Sequence, residues 1–371
     1  MSEVYAARRA RLRESYGAHR GAAALVSGPA NVRYLAGGAP PGAVLLLAPG
    51  EDVLLCPPAP VDEAAAGRVG EDLRVVVPGE PGDPAVAAAL LLADAGRSGG
   101  AGTLAVEEGH LTVSRHRALA AAVPELRLTD LAGAVEQLRV VKDEEEISRL
   151  RIAAEIADQA LGELLESILV GRTERHLALE LERRLVDHGA DGPAFPTSVA
   201  TGPHSGRPAH RPSDRRVEEG DFLTVGLGAE YRGYRCSITR TFVIGTSPAD
   251  WQIELYELVF VAQRAGREAL LPGAGCRDVD RTVRGRLAAA GHAEALDPCT
   301  GHGVGLEIVE EPQLAPASMG KLDACVPVTV GPGVHLPGRG GVRIDDTLVV
   351  RPEADGGPEL LTITTKELLA L

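Results

Sequence analysis

Leu223 to Phe242 reads LTVGLGAEYRGYRCSITRTF, with apolar and β-branched residues on either side of a Gly-rich centre, AEYRGY. Such residues suit a pleated, half-buried surface, and a short Gly-containing interruption between two of these runs marks a hairpin. The stretch is therefore expected as two strands joined by a tight turn. Gly233 takes the turn position with positive φ, which a residue without Cβ adopts freely. Side chains alternate between faces along a strand, so Gly226, Gly228 and Ser237 reach one pocket only in the correct register. The same alternation turns Cys236 away from Ser237, into the core.

The chain has 371 residues and is 44% apolar, enough for one large or two ordinary domains with buried cores. A net charge of −14 argues against a polyanion as main partner, because phosphate binding needs clustered Lys and Arg, so no nucleic-acid partner is expected. Aromatic residues are only 3%, too few for base stacking or an aromatic cage. The five cysteines, Cys56, Cys236, Cys276, Cys299 and Cys325, are scattered and form no C-x-x-C pair. Neither a disulfide framework nor a structural zinc site is expected, and a reducing compartment suits them. The charged N-terminal segment lacks an apolar core of signal-peptide length, and no later run is long and uncharged enough to span a bilayer. The expectation is a soluble cytoplasmic protein with no membrane partner.

Apolar runs alternate with turn residues over 24–58 and continue through 73–79, 85–95 and 103–109, the pattern of an α/β domain. Residues 1–138 are assigned to it, and 139–371 to a second domain. Lys142–Leu165, KDEEEISRLRIAAEIADQALGELL, is expected to be a helix. Asp143 caps it, acidic residues fill its first turn, and Ile147, Leu150, Ala154, Ala157 and Leu161 form an apolar stripe. An internal repeat follows. ILVGRTERHLALELERRLVDHGA, starting at Ile168, has a counterpart in LLPGAGCRDVDRTVRGRLAAAGHA, starting at Leu270, and the spacing Gly171–Gly189 equals Gly273–Gly291 (189 − 171 = 291 − 273 = 18). Each half is expected as a capped helix ended by glycine and preceded by another helix.

Several motifs carry a resemblance to a known family. The hairpin matches D-x-G…G-Y-x-S-D-x-T-R-T at Gly228, Gly233, Tyr234, Thr239, Arg240 and Thr241. To it are added Gly28–Gly37 (GPANVRYLAG), the Lys142 helix, and the His210 segment SGRPAHRPSD before the hairpin. Two C-terminal motifs complete the set, TGHGVGLEIVEEP at Thr300–Pro312 and VTVGPGVHLPGRGGVRIDDTLVV over 328–350. Together they resemble the prolidase, aminopeptidase P, methionine aminopeptidase and creatinase superfamily over nearly the whole chain. The resemblance implies an α/β N-terminal creatinase-like domain and an α+β C-terminal pita-bread domain with an internal pseudo-twofold repeat. It also implies a homodimer.

The metallopeptidases of that superfamily hold two divalent ions with two Asp, one His and two Glu. Hard cations want anionic oxygens, and adjacent dications need bridging carboxylates. Carried over residue by residue, these ligand positions hold Gly226, Ser237, His302, Gly331 and Asp345. One imidazole and one carboxylate remain, so no dinuclear site and no cofactor are expected, and Gly226 and Gly331 are expected to leave a larger, less negative cavity. His210 matches the family's substrate histidine. His210, His302 and Glu310 are the candidate catalytic residues, with His302 otherwise a buried strand histidine. Asp345, Arg343, Ser237, Tyr234 and His335 are candidate substrate contacts. Glu310, Asp345 and Arg343 are read as an ionised cluster, catalytic or structural, and His335 as lining the pocket or facing solvent.

Three functions remain in view. The first is a metal-independent enzyme acting by His-based acid–base chemistry on a C–N bond of a small amino-acid-derived substrate, as creatinase does within the superfamily. The second is a non-catalytic pseudo-peptidase that binds a short peptide or a protein partner. The third is a residual metal-dependent Xaa-Pro peptidase.

Overall fold

A computed structural model of the chain describes residues 2–16, 22–58, 72–79, 82–96, 102–167 and 169–371. Ile168, where the first repeat begins, lies outside them. The chain divides into two compact units, Met1–Arg139 and Val140–Leu371.

In the first unit the elements run α1 (Ser2–Ser15), β1 (Ala23–Val26), α2 (Pro29–Ala36), β2 (Val44–Ala48), β3 (Glu51–Leu55), β4 (Arg74–Val76), α3 (Pro84–Gly96), β5 (Thr103–Val106), α4 (Val113–Ala122), β6 (Arg127–Asp130) and α5 (Ala134–Val140). The strands form one mixed sheet in the order β4-β3-β2-β1-β5-β6. Leu25, Leu46, Leu55 and Leu104 pack on Ala85, Ala88, Ala89 and Leu92 of α3, whose small side chains let helix and sheet approach closely. Asn31 of the GPANVRYLAG motif is fully buried and donates from Nδ2 to Glu107 (2.6 Å) and Glu136 (2.6 Å), so this motif serves the fold.

The second unit opens with α6 (Glu144–Leu165) and α7 (Glu174–Asp187). It continues through β7 (Gly192–Pro193), β8 (Ser198–Thr201), β9 (Phe222–Leu227), β10 (Ala229–Tyr231), β11 (Tyr234–Arg235) and β12 (Ile238–Val243). The second helix pair, α8 (Asp250–Glu268) and α9 (Cys276–Ala289), leads into β13 (Gly301–Gly303), β14 (Glu310–Leu314), β15 (Pro327–Val330), β16 (Gly333–Leu336), β17 (Gly340–Arg343), β18 (Asp346–Val349) and β19 (Glu359–Leu360). Helix α6 starts at a full capping box, in which Asp143 and Glu146 each bond the other's backbone N–H, and its expected apolar stripe is completely buried.

The repeat is visible as two helix pairs in the same register, each helix α7 and α9 starting three residues after its glycine (174 − 171 = 276 − 273 = 3). Gly189 (φ 98°) and Gly291 (φ 88°) end the two helices in the left-handed conformation. The caps differ from expectation. Thr173 caps α7 through its side chain, but α9 begins at Gly275, which has no side chain to do so.

The hairpin is also more elaborate than two strands. β9 pairs with β12, with Gly226 opposite Thr239, and β8 adds Ser198 opposite Gly226. Between them the chain crosses at Gly228 and enters a second small sheet, where β10 and β11 join β7. A Cβ on Gly228 would stand 2.0 Å from the Cys236 carbonyl oxygen, so this crossing needs glycine. Arg232 (φ 50°) and Gly233 (φ 82°) form the turn, both left-handed as a two-residue type I′ hairpin requires.

The two halves of this unit meet where Thr239 and Asp345 exchange backbone hydrogen bonds (3.2 and 3.1 Å). Beneath them Arg240, fully buried, bonds Asp346 (2.7 Å) and the carbonyls of Thr364 and Thr365. No helix among the described residues is long and apolar enough to cross a membrane.

Gly228→Ala should lower the unfolding free energy by about 1–3 kcal/mol, because the backbone carbonyl of Cys236 cannot move aside without breaking the β10–β11 step. Urea unfolding of the variant against the parent chain measures it; an unchanged midpoint would mean the crossing tolerates a Cβ.

Candidate active site

Three strands present alternate residues to a single cavity of about 280 Å³. The register makes two rows: Ser198, Gly226 and Thr239 lie side by side across β8, β9 and β12, and Ala200 and Thr224 form the next. Ser237, one residue before β12, joins the wall, while its neighbour Cys236 is fully buried in the core, as alternation requires. From the second half come His302 on β13, His335 on β16, Arg343 on β17 and Asp345; His210 enters from the loop before β9.

His210 is held by a residue that sequence reading did not single out. Glu174, at the first turn of α7, has a fully buried side chain and accepts five hydrogen bonds. His204 Nδ1 (2.9 Å) and Thr201 N (2.8 Å) reach Oε1, and His210 Nε2 (2.8 Å), Ser213 N (2.9 Å) and Ser213 Oγ (2.6 Å) reach Oε2. Burial alone would raise its pKa, but the Ser213, Thr201 and His210 hydrogen bonds outweigh it and hold the carboxyl at about 2. An ionised carboxylate only accepts, so both imidazoles must donate to it. In its neutral form His210 therefore carries its proton on Nε2 and keeps Nδ1, which has no protein partner among the described residues, as an acceptor, with the residue itself in the cavity lining. His204 stacks on the His210 ring with centroids 4.3 Å apart.

Across the cavity Arg343 grips Asp345 through Nε (2.9 and 3.1 Å to the two carboxylate oxygens) and reaches Asp297 through Nη1 (3.0 Å). Thr239 Oγ1 also donates to Asp345 (3.1 Å). Asp345 beside it, opposed by burial, raises the Arg343 pKa, so this guanidinium is a permanent cation. Burial lowers the pKa of His302 against the pull of the Gly303 carbonyl and Asp345. His302 is thus neutral at pH 7, and with its Nδ1 on the Gly303 carbonyl (3.0 Å) it presents Nε2 as an acceptor.

These residues do not fit a pair of divalent cations. Gly226 and Gly331 offer no side-chain donor, Ser237 offers a neutral hydroxyl, and the Asp345 carboxylate is already committed to Arg343 and Thr239. The expectation of a larger void at the two glycines is corrected as well. A Cβ on Gly331 would fall 1.8 Å from Asp345 Oδ1, and one on Gly226 would lie 3.0 Å from Thr239 Oγ1, so neighbouring side chains occupy that space.

Two expected site residues stand elsewhere. Tyr234 is buried, donates to Glu146 Oε1 (2.8 Å) and lies under the Arg149 guanidinium, so it fastens the hairpin to α6 and is not part of the cavity wall. Glu310 is not in the wall either. Lys142 Nζ (2.8 Å) and the Glu307 N–H (2.9 Å) hold it, and the cluster around Arg343 contains Asp297 in its place. His335 does line the cavity, buried and 3.5 Å from Asp297. Asp297 and Glu174 escaped sequence reading because neither belongs to a motif, although Asp297 stands only three residues before Thr300. The one hint was a Thr-Glu pair opening a repeat helix.

Residues 148–352, more than half the chain, match the model of metallopeptidase family M24, and residues 8–141 match the creatinase/prolidase N-terminal domain. The chain belongs to family M24. An uncharacterised peptidase of Bacillus subtilis is 37% identical to this M24 protein over 75% of the chain and 78% of the relative. A Xaa-Pro dipeptidase of Pyrococcus furiosus is 39% identical over 63% of the chain and 66% of the relative. Among solved structures, a Xaa-Pro dipeptidase from Bacillus anthracis superimposes with TM-score 0.91 at 32% identity, covering 99% of this chain and 100% of that one. A prolidase from Pyrococcus horikoshii gives 0.88 at 30%, covering 98% and 99%. The two-domain pita-bread architecture follows, and with it membership of a peptidase and hydrolase family.

Because the folded-state pKa of Glu174 lies below the ordinary 4.5, its contribution to stability is complete above that value and lost as pH falls towards about 2. In chelator-treated protein the loss should amount to about 2–3 kcal/mol across that window. Glu174→Gln should lack this component, so its unfolding free energy should fall less between pH 5 and about pH 2 than that of the parent chain. Parallel pH profiles for the two proteins would show that the network is not formed.

Proposed function

We propose that this M24 protein is a metal-independent hydrolase that breaks a C–N bond in a small amino-acid-derived compound, with His210 as the proton shuttle. The observation that carries the reading is a lining with no carboxylate at Gly226, Ser237 or Gly331, the one that remains, Asp345, being held by Arg343 and Thr239. A fixed guanidinium, held through Nε, stands among the positions that would have to supply carboxylates to two cations. Creatinase, within the superfamily this chain resembles, sets the precedent for metal-free C–N hydrolysis with a histidine at the place of His210.

In this reading water attacks the carbon of the C–N bond. His210 Nδ1 takes the water proton as the C–O bond forms and returns it to the departing nitrogen as the C–N bond breaks, so no net proton is consumed by the protein. Glu174 stabilises the imidazolium between the two transfers. Arg343 Nη2, with no protein partner among the described residues, and the Ser237 hydroxyl face the ligand and donate to oxygen that gains charge. His302 Nε2 accepts an N–H from the ligand.

Magnitude selects the substrate class. A positioned acid–base group supplies roughly 10²–10⁴-fold. That is enough to matter for an activated carbon such as an amidine or guanidino group, and far too little for an unactivated peptide amide.

The test uses chelator-treated protein with guanidino and amidino derivatives of amino acids beside Xaa-Pro dipeptides, product formation being followed by mass spectrometry. Turnover of the former without added metal is expected, reduced about 10²–10⁴-fold in His210→Ala. Turnover confined to Xaa-Pro dipeptides and dependent on added manganese or cobalt would replace this reading with a metallopeptidase. Saturable binding without turnover of any compound would replace it with a binding protein.

A further inference from the structure

The carboxylate that positions His210 belongs to a second constellation with its own chemistry. We propose that Glu174, His204 and His210 form a mononuclear site for a divalent transition metal, separate from the positions at Gly226, Ser237, His302, Gly331 and Asp345. Glu174 oxygen, His204 Nδ1 and His210 Nε2 all lie within 4.8 Å of one another. Two imidazoles and one carboxylate are a donor set that suits zinc, cobalt and nickel, and three protein ligands leave a coordination position open.

The distances already resemble a coordination shell. Ligands at about 2.0–2.2 Å from a metal, separated by 90° to the tetrahedral angle, stand about 2.9–3.4 Å apart. His204 Nδ1 stands 2.9 Å from Oε1 and His210 Nε2 2.8 Å from Oε2, so a carboxylate that chelates through both oxygens needs each imidazole to move back by only a few tenths of an ångström from its own oxygen. The same geometry puts the centroids of two metal-bound imidazoles about 4.4–5.1 Å apart. The rings of His204 and His210 are at 4.3 Å, tilted by 34°.

The carboxylate is also braced as metal-binding carboxylates are. If both histidine contacts turn into metal bonds, Oε1 keeps Thr201 N, and Oε2 keeps Ser213 N and Oγ. Glu174 has no exposed surface, whereas the side chains of His204 and His210 are 20% and 9% exposed, so an ion enters from the histidine side.

Binding has a definite protonic consequence. The metal takes the nitrogen that pointed at Glu174, so each imidazole bound in its neutral form carries its proton on the other nitrogen. His204 changes from Nδ1–H to Nε2–H and His210 from Nε2–H to Nδ1–H. The cavity-side nitrogen of His210 then donates instead of accepting. Zinc is accordingly an inhibitor of the hydrolysis proposed above; this last consequence rests on that reading, and the site itself does not.

The experiment titrates chelator-treated full-length protein with cobalt(II), followed by visible absorption, and displaces it with zinc. About one equivalent with a tetrahedral or five-coordinate cobalt band is expected. His204→Gln should weaken binding at least about tenfold. The double variant with Ser237→Ala and His302→Gln should bind as the parent chain does. In wild-type protein, nitrogen-15 spectra of the imidazoles with zinc should show both tautomers exchanging as described, a readout independent of how any variant folds. No cobalt band, an affinity unaffected by His204→Gln, loss in the Ser237/His302 variant, or unchanged tautomers on saturation would each overturn the site.

Discussion

One guanidinium set between two carboxylates governs this active-site cavity. Arg343 cannot lose its proton, and Asp345 and Asp297 keep it in one orientation. Such an arrangement is costly to desolvate, and it persists only where geometry is good and every partner is hydrogen-bonded. Here Thr239, on the opposite half of the unit, closes the shell around Asp345. The same two residues join the halves through their backbones, so the electrostatic centre and the structural seam coincide. The position of the charge on this side of the cavity is therefore set by the chain's own side chains.

Against that fixed side stands an acid–base side with different logic. Glu174 sits at the start of a helix, where unsatisfied backbone N–H groups favour negative charge, and gathers donors from the end of β8 and the connection that follows it. Its role is to decide which nitrogen of His210 carries the proton. A histidine in the same place without that carboxylate would sample both tautomers and several orientations. The loop bearing His210 has little regular structure of its own, so order has to be imported through these bonds.

Much of this was legible in the sequence. The α6 cap and stripe, the repeat spacing and the burial of Cys236 all rest on local periodicity, and local periodicity survives folding. The resemblance also singled out Gly226 and Ser237, and strand alternation brings both to the cavity. What failed was everything that depends on which distant group arrives. Glu310 looked catalytic until Lys142, 168 positions away, was found to hold it. Tyr234 looked like a pocket residue until Glu146 claimed its hydroxyl. The void inferred at Gly331 ignored that a neighbour's carboxylate can lean into the space. Pairings of this kind carry no periodic signature, and only the tertiary arrangement reveals them.

That leaning carboxylate makes the present arrangement hard to undo. Any side chain placed on residue 331 must first evict Asp345, and Asp345 cannot leave without stranding Arg343 and unfastening Thr239. A larger residue at 331 would therefore have to come together with a change at Asp345, since alone it brings a clash and with Asp345 displaced it leaves a buried charge uncompensated. The seam behaves as a latch: the smallest residue beside it keeps the bolt in place.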